Sequence, residues 1–349
     1  MNKNRMLVLG YFGYANNQLD GQTVKTRDIY RLLEEQTLDS VDYYDTQIFQ
    51  QNKLSIFRML IKVCRCNNLI YLPAQNNLKV IFPIIYILSK LFKFKIHYFV
   101  VGGWLSEFIC DKPKHKKMLS NISGIHVETK RLKKDLEQKY NLRNVDIFPN
   151  FRFSTVSSSK SPIHIHNETK GLRLVFVSRI CEAKGLDTLK KLYELTKING
   201  SDNSFTIAFY GQMTDDYFNN HLKNIPIYQY KGVLQPFEVI STLQQYDALI
   251  FPSHYEGEGC PGILVEAMFA GLPIIASNWK YNDEFVKDGV NGILCDTNNV
   301  SEYHKAISTL FNNPDILNRM SEAANKFANE FSAETACINL NNILKLQLS

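Results

Sequence analysis

The stretch Leu249-Ile-Phe-Pro-Ser-His-Tyr-Glu-Gly-Glu-Gly-Cys-Pro-Gly-Ile-Leu-Val-Glu-Ala-Met-Phe-Ala-Gly-Leu-Pro-Ile-Ile-Ala276 reads as strand, loop, helix and strand. An apolar run ends at Pro252, a Gly-rich loop follows, a helix opens near Gly262, and a second apolar run starts after Ala270-Gly-Leu-Pro273. Gly257, Gly259 and Gly262 remove side chains where the chain turns and where a ligand approaches the backbone. The N–H groups of Gly262, Ile263 and Leu264 open the helix without intrahelical acceptors and suit an anion such as a diphosphate. Glu258 in the loop and Glu266 in the helix have seven residues between them, so both carboxylates reach one ligand. A carboxylate repels phosphate, and its natural partners are hydroxyl donors such as the vicinal diols of a sugar and a ribose. The same residues also fit a plainer role, with Glu266 complementing the helix N-terminus and Glu256 and Glu258 as solvated loop charges. His254 beside the loop either touches a nucleotide or caps the strand end.

Outward from this stretch, short apolar runs alternate with helical patterns along the chain, the mark of parallel βαβ units. Strands are expected at Met6–Gly10, Ser40–Tyr44, Leu69–Leu72, Ile96–Val101, Gly124–Glu128 and Val145–Phe148, with helices such as Gly21–Glu35 and Lys130–Lys139 between them. A Ser-rich stretch from Ser154 to Lys170 lacks apolar periodicity and reads as a linker. The pattern restarts at Leu172–Val177, with a helix from about Gly185 and strands near Phe205–Tyr210, Ile227–Tyr230, Ala248–Phe251, Pro273–Ala276 and Gly292–Cys295. The division expected is a first domain over 1–160, a linker over 161–171, a second domain over 172–332, and a last helix over 333–349 that packs back on the first domain. Two doubly wound, Rossmann-like α/β domains in tandem place function at the carboxyl ends of their strands, in a central cleft that the domains face.

Arg179 and Lys184 lie five positions apart where a strand gives way to a helix. Two cations there straddle a diphosphate and stabilise the charge that builds on a departing nucleoside diphosphate. Either residue alone also fits an ordinary surface cation paired with Glu182 or water.

Together these elements resemble the donor domain of the retaining glycosyltransferases of family 4, which have the GT-B fold. The resemblance rests on Phe176-Val-Ser-Arg-Ile-Cys-Glu-Ala-Lys-Gly-Leu186, the Gly232-Val-Leu turn, Asp247-Ala-Leu-Ile-Phe-Pro-Ser253, the Glu-x7-Glu stretch and Asp288-Gly-Val-Asn-Gly-Ile-Leu294, in that order. It implies that Glu258 contacts donor-sugar hydroxyls, Glu266 the ribose, and Arg179 and Lys184 the diphosphate. Gly232 and Val233 join the implied donor site with Gly259, Gly262, Ile263, Leu264 and His254. In the first domain, Gly10-Tyr-Phe-Gly13 and Leu19-Asp-Gly-Gln-Thr-Val-Lys-Thr-Arg27 make a glycine-containing loop that opens a helix. By the resemblance, Gly13, Gly21 and Gln22 border the cleft near the β-phosphate and the acceptor, with Lys25 and Arg27 adding positive charge at its entrance. One departure stands out: where many family members carry a His after the fourth strand, this chain has Val100-Val-Gly-Gly-Trp-Leu-Ser-Glu107. Gly102 and Gly103 permit close approach of a ligand, and Trp104 either stacks on a sugar or fills core. His97 is expected to be packed within the strand, and no catalytic base is assigned from this loop.

Composition bounds the remaining classes. The 349 residues are 45% hydrophobic and 21% charged, which excludes disorder and small disulfide scaffolds. Seven cysteines without a CxxC pair suggest neither a disulfide framework nor a zinc site, and no metal or cofactor is expected. The net charge of +6 hides a split: residues 1–170 hold 26 basic and 14 acidic side chains, whereas the remainder is acidic. Residues 51–100 carry eight basic side chains, from Lys53 to Lys95, and no Asp or Glu. The expected partner is an anionic membrane surface met by residues 53–95, with the alternative that the apolar residues there are core and the lysines a solvated rim. Nucleic acid is not expected, because neither a recognition helix nor a stacking motif is seen. No apolar run reaches bilayer length and none resembles a signal peptide, so a cytoplasmic protein at the inner membrane face is expected.

With the resemblance, from which retention is carried over, these observations lead to the expectation of a metal-independent, retaining hexosyltransferase that uses a nucleoside-diphosphate sugar, UDP-linked, as substrate and a glycan or polyprenyl-diphosphate-linked acceptor, in cell-surface polysaccharide synthesis. A sugar-nucleotide 2-epimerase of the same fold and a non-catalytic sugar-nucleotide-binding partner of another transferase share the architecture. Product analysis without acceptor separates them.

Overall fold

The structure is a computed structural model that describes residues 4–16, 18–154, 171–200 and 204–345. The linker expected over 161–171, with His164 and His166, lies outside these residues apart from Gly171. The chain divides into two units, Met1–Phe153 with Ala333–Ser349, and Ser154–Ser332.

The first unit contains six strands: β1 (Arg5–Gly10), β2 (Ser40–Asp45), β3 (Asn68–Leu72), β4 (Lys95–Phe99), β5 (Gly124–Val127) and β6 (Val145–Ile147). They form a parallel sheet in the order β2-β1-β3-β4-β5-β6. Every residue of β3 and β5 is buried, as a parallel sheet covered on both faces requires. The expected β4 runs to Val101 but ends at Phe99. Beyond it, the Val100 N–H still donates to the His126 carbonyl at 2.8 Å, while the Val100 carbonyl accepts from Lys25 Nζ at 3.3 Å. The closing helix Ala333–Leu344 sits in this unit, where Ala336 and Leu340 pack with Val8, Ile29 and Phe148.

The second unit contains β7 (Leu172–Val177), β8 (Phe205–Tyr210), β9 (Tyr228–Gly232), β10 (Ala248–Phe251), β11 (Ile274–Ser277) and β12 (Gly292–Cys295). Their order is β12-β11-β10-β7-β8-β9, again parallel. Pro314 starts the Pro314–Ala328 helix at a position where the missing N–H costs nothing.

In each sheet the chain winds outward in both directions from one seam. The seam lies between β1 and β3 in the first unit and between β7 and β10 in the second. Loops leaving adjacent strands at such a seam part toward opposite sides and open a crevice at the carboxyl ends. The second seam receives Ser178–Gly185 from β7 and Pro252–Pro261 from β10.

Candidate functional site

At the second seam the loop after β7 folds down onto the loop after β10. Gly185 allows this, since its φ is +88° and a Cβ there would lie 2.2 Å from the Pro252 carbonyl oxygen. The His254 N–H donates to the Ala183 carbonyl at 3.1 Å and ties the loops a second time. Lys184 and Glu258 are thereby buried together, and Lys184 Nζ donates to Glu258 Oε1. The same carboxylate oxygen accepts from Ser253 Oγ at 2.7 Å. Ser253 is itself held by the Ser277 hydroxyl, which donates to its carbonyl.

Tyr255 gathers the cations. Its ring centroid is 5.0 Å from the Arg179 guanidinium carbon and 4.6 Å from Lys184 Nζ. Arg179 is exposed, whereas Lys184 is buried, so the pair presents one solvated and one sheltered charge. Gly257 lies against the Tyr255 ring, where a Cβ would come within 2.7 Å. Tyr255 and Ser253 stand inside the stretch that decided the fold, yet nothing in residue type or spacing marks them out; only the folded loop shows what they touch.

The helix Gly262–Ala270 opens after Pro261, and no side chain caps it. Of its three expected anion-binding N–H groups, Leu264 is corrected: its N–H donates to the Pro261 carbonyl at 3.0 Å, because the first turn is tightened. Gly262 and Ile263 are the first two helical residues, Gly259 is buried, and Glu266 is half-buried in the second turn. His254 is partly buried, and its Nδ1 has no hydrogen-bond partner among the described residues. Gly232 ends β9 with φ of +95°, and its carbonyl accepts from Gly211 N–H at 2.8 Å. Val233 beyond it is exposed. Gly211, bonded to Gly232, abuts Ser178 at the seam.

In the first unit, Gly13 has φ of +67° and Gly21 faces open space. Gln22 Nε2 donates to the Leu72 carbonyl at 3.5 Å, which sets it at the end of β3, on that unit's own seam. Asp20 caps the helix Gly21–Gln36, accepting from the N–H groups of Gln22 and Thr23 at 2.9 Å each. The positive entrance expected from Lys25 and Arg27 is corrected. Lys25 is 2% exposed and paired with Glu128 at 2.6 Å, since it lies on the helix face turned to the sheet. Arg27 donates to the carbonyls of Phe12 and Gln18 at 2.7 and 3.1 Å. Glu128 Oε2 also accepts from Gly102 N–H at 3.0 Å, so the buried pair anchors the Gly102–Gly103 loop. Trp104 is half-buried, donates from Nε1 to the Val101 carbonyl at 2.8 Å and meets Phe108 edge-on. His97 is buried, with its Nδ1 3.3 Å from His126 Nε2.

Residues 160–327 match the family model described as glycosyl transferases group 1. The second unit is thus similar to the group 1 glycosyl transferases. Anabaena HepE, solved with UDP and glucose, superposes with a TM-score of 0.72 at 15% identity, over 97% of this chain and 99% of that one. A variant of S. aureus TarM, solved with fondaparinux, α-GlcNAc-glycerol and UDP, superposes with a TM-score of 0.60 at 20% identity, over 79% of this chain and 55% of that one. Two Rossmann-like sheets superposing on these proteins establish the GT-B fold. In sequence, the chain is 26% identical to a poly(ribitol-phosphate) α-N-acetylglucosaminyltransferase of Staphylococcus aureus over 59% of its length, but spans only 41% of that relative. It is 24% identical to an uncharacterized glycosyltransferase of Haemophilus influenzae, over 67% of this chain and 61% of the relative.

Proposed function

We propose that the chain is a retaining family 4 glycosyltransferase that moves a hexose-type sugar from a UDP-sugar to a glycan or polyprenyl-diphosphate-linked acceptor in cell-surface polysaccharide synthesis. The observation that carries this reading is the convergence at the β7/β10 seam: Arg179 and Lys184 meet on one tyrosine ring, and a buried carboxylate adjoins them. UDP in the HepE and TarM structures supports the choice of nucleotide.

In this mechanism the bond between the sugar's anomeric carbon and the diphosphate oxygen breaks first. Negative charge then grows on the β-phosphate, where Arg179 and Lys184 stabilise it more than in the ground state. Glu258, already oriented by Ser253, accepts hydrogen bonds from donor-sugar hydroxyls. The acceptor hydroxyl attacks the same face that the diphosphate leaves, and its proton passes to the departing phosphate oxygen. Glu266 accepts from the ribose hydroxyls. No side chain of the first unit is needed as a base in this route, and Gly102, Gly103 and Trp104 serve the acceptor side.

The test is a thermal-shift screen of nucleotide sugars followed by product analysis with the stabilising one. A preferred UDP-sugar raises the melting temperature by mass action. Transfer or slow hydrolysis with the α-configuration kept supports the reading. A 2-epimer formed without acceptor, or binding without any turnover, overturns it.

A further inference from the structure

The first unit carries an apolar surface that its own fold leaves uncovered. The helix Phe82–Phe92 buries Phe82, Ile85 and Ser89 against the unit. Its opposite stripe, at spacings i, i+3 and i+7, is Ile84, Ile87 and Leu91, of which Ile87 and Leu91 are 59% and 68% exposed. A helix that is apolar on both sides has a partner on both sides. The neighbouring helix Ser55–Arg65 buries Met59 and Val63 and exposes Phe57 and Ile61, one turn apart. Thus the expectation that the apolar residues between Lys53 and Lys95 are either core or surface resolves residue by residue: each helix supplies both.

Cations surround these stripes. Arg58 and Arg65 flank Ile61 at i−3 and i+4 on the same exposed helix face. Right-handed crossovers put the helices before β3, β4 and β5 on one face of the sheet, and the Phe82–Phe92 helix packs against both Ser55–Arg65 and Pro113–Leu119. The last of these exposes Lys114 and Lys117. Lys90 rises from the central helix, over the Tyr86 ring. Asp42 and Asp111 are each already bonded to a lysine, Lys62 and Lys112, so neither offsets the excess.

We infer that this three-helix face docks on an anionic lipid bilayer, with Phe57, Ile61, Ile84, Ile87 and Leu91 entering the headgroup boundary and the surrounding lysines and arginines meeting lipid phosphates. Charge selects this occupant. A second copy would bring the same cations against one another across a self-complementary contact. A protein partner is disfavoured by the lysine content, because lysine is depleted at protein interfaces. Aliphatic stripes rimmed by cations match the composition of an interfacial helix. The surface stands independently of the donor reading, since it uses no residue of the second unit.

Flotation of the full chain tests it, with vesicles of phosphatidylcholine containing phosphatidylglycerol and with phosphatidylcholine alone. The expected result is co-flotation with the anionic vesicles only, falling as salt is raised. The variant Ile87→Glu with Leu91→Glu removes the apolar stripe, and Arg58→Glu with Lys114→Glu reverses rim charge. Each is expected to lower the bound fraction about fivefold or more while thermal melting is unchanged, since all four side chains face solvent. Failure to float with anionic vesicles, equal flotation with both vesicle types, or undiminished flotation of the Ile87/Leu91 variant overturns the proposal. So does a sedimenting dimer that this variant converts to monomer, which assigns the face to a second copy.

Discussion

Lys184 and Glu258 are bonded to each other, buried, between loops that leave adjacent strands β7 and β10. A lysine suited to a diphosphate is thus held by a carboxylate suited to sugar hydroxyls. In the proposed function, donor binding would have to share or exchange that bond: the β-phosphate would compete with Glu258 for Lys184, and sugar hydroxyls would take over the carboxylate. Bonded to each other, the two buried charges are satisfied.

This sets the first prediction. Glu258→Gln should abolish transfer while UDP binding, measured by calorimetry, is retained or tightened, because Lys184 is released toward the diphosphate. Arg179→Ala should weaken both, with kcat down about 10²-fold or more if the guanidinium acts mainly on developing charge. Unchanged transfer in the Glu258 variant removes its assigned role.

Stability reports on the same pair. Lys184→Ala or Glu258→Ala alone leaves one buried charge unpaired and should cost about 3–5 kcal/mol in denaturant titrations. The double variant Lys184→Ala with Glu258→Ala should cost less than the two single losses together. An additive double variant shows that the bond carries no coupling.

A second buried pair makes a different statement. Lys25 and Glu128 join the Gly21–Gln36 helix to the loop after β4 through Gly102 N–H. Glu128→Gln keeps the shape and one acceptor but strands the ammonium, and a loss of about 3 kcal/mol is expected. Amide exchange at Gly102 should accelerate more than at β4, which distinguishes loosening of the loop from global destabilisation.

The strands were readable because parallel strands buried on both faces are unbroken apolar runs, as in Leu69–Leu72 and Ala248–Phe251. That Glu258, Arg179 and Lys184 lie together at the β7/β10 seam was readable because each sits at a fixed offset from such a run. Lys25 and Arg27 were misread for the opposite reason. A cation in a helical pattern does not show which face it takes, and both here turn inward to carbonyls and Glu128. The Leu264 N–H was misplaced because the tightness of a first turn is a backbone property that residue type does not reveal. Tyr255 acts across loops from separate strands, and no single segment encodes that contact.

Acid should destabilise the first unit through His97 and His126. Burial lowers their pKa values to about 4 and about 3, with Lys95 adding to the first, and His97 and Lys25 to the second. An unfolded histidine titrates near ~6.5, so between that pH and the folded values the unfolded chain binds more protons. Stability is therefore complete above about pH 6.5 and falls as pH drops toward 4 and below, by at most ~1.4 kcal/mol per pH unit for each proton. His126→Phe, whose ring would pack against Phe99 as the imidazole does, should flatten the decline in melting temperature between pH 7 and 4.5. A variant with the unaltered slope places the acid sensitivity elsewhere.

Gly211 offers a test of the seam that touches no proposed ligand contact. It follows β8 with φ of +139°, and a Cβ there would fall 1.7 Å from the Ser178 carbonyl oxygen, immediately before Arg179. Two atoms cannot share that space, so Gly211→Ala must displace the backbone that carries the guanidinium. Gly200→Ala is the control: its φ is +64°, but among the described residues no atom of a non-neighbouring residue lies within 4 Å of the added Cβ. The control should cost about 1–2 kcal/mol of stability from backbone strain alone and leave UDP affinity unchanged. Gly211→Ala should cost more and weaken UDP binding about tenfold, since a displacement near 1 Å at a charge-positioning loop is enough to spoil its geometry. Equal UDP affinity in the two variants, measured by calorimetry on folded protein, shows that the position of Ser178–Arg179 does not govern binding at the seam.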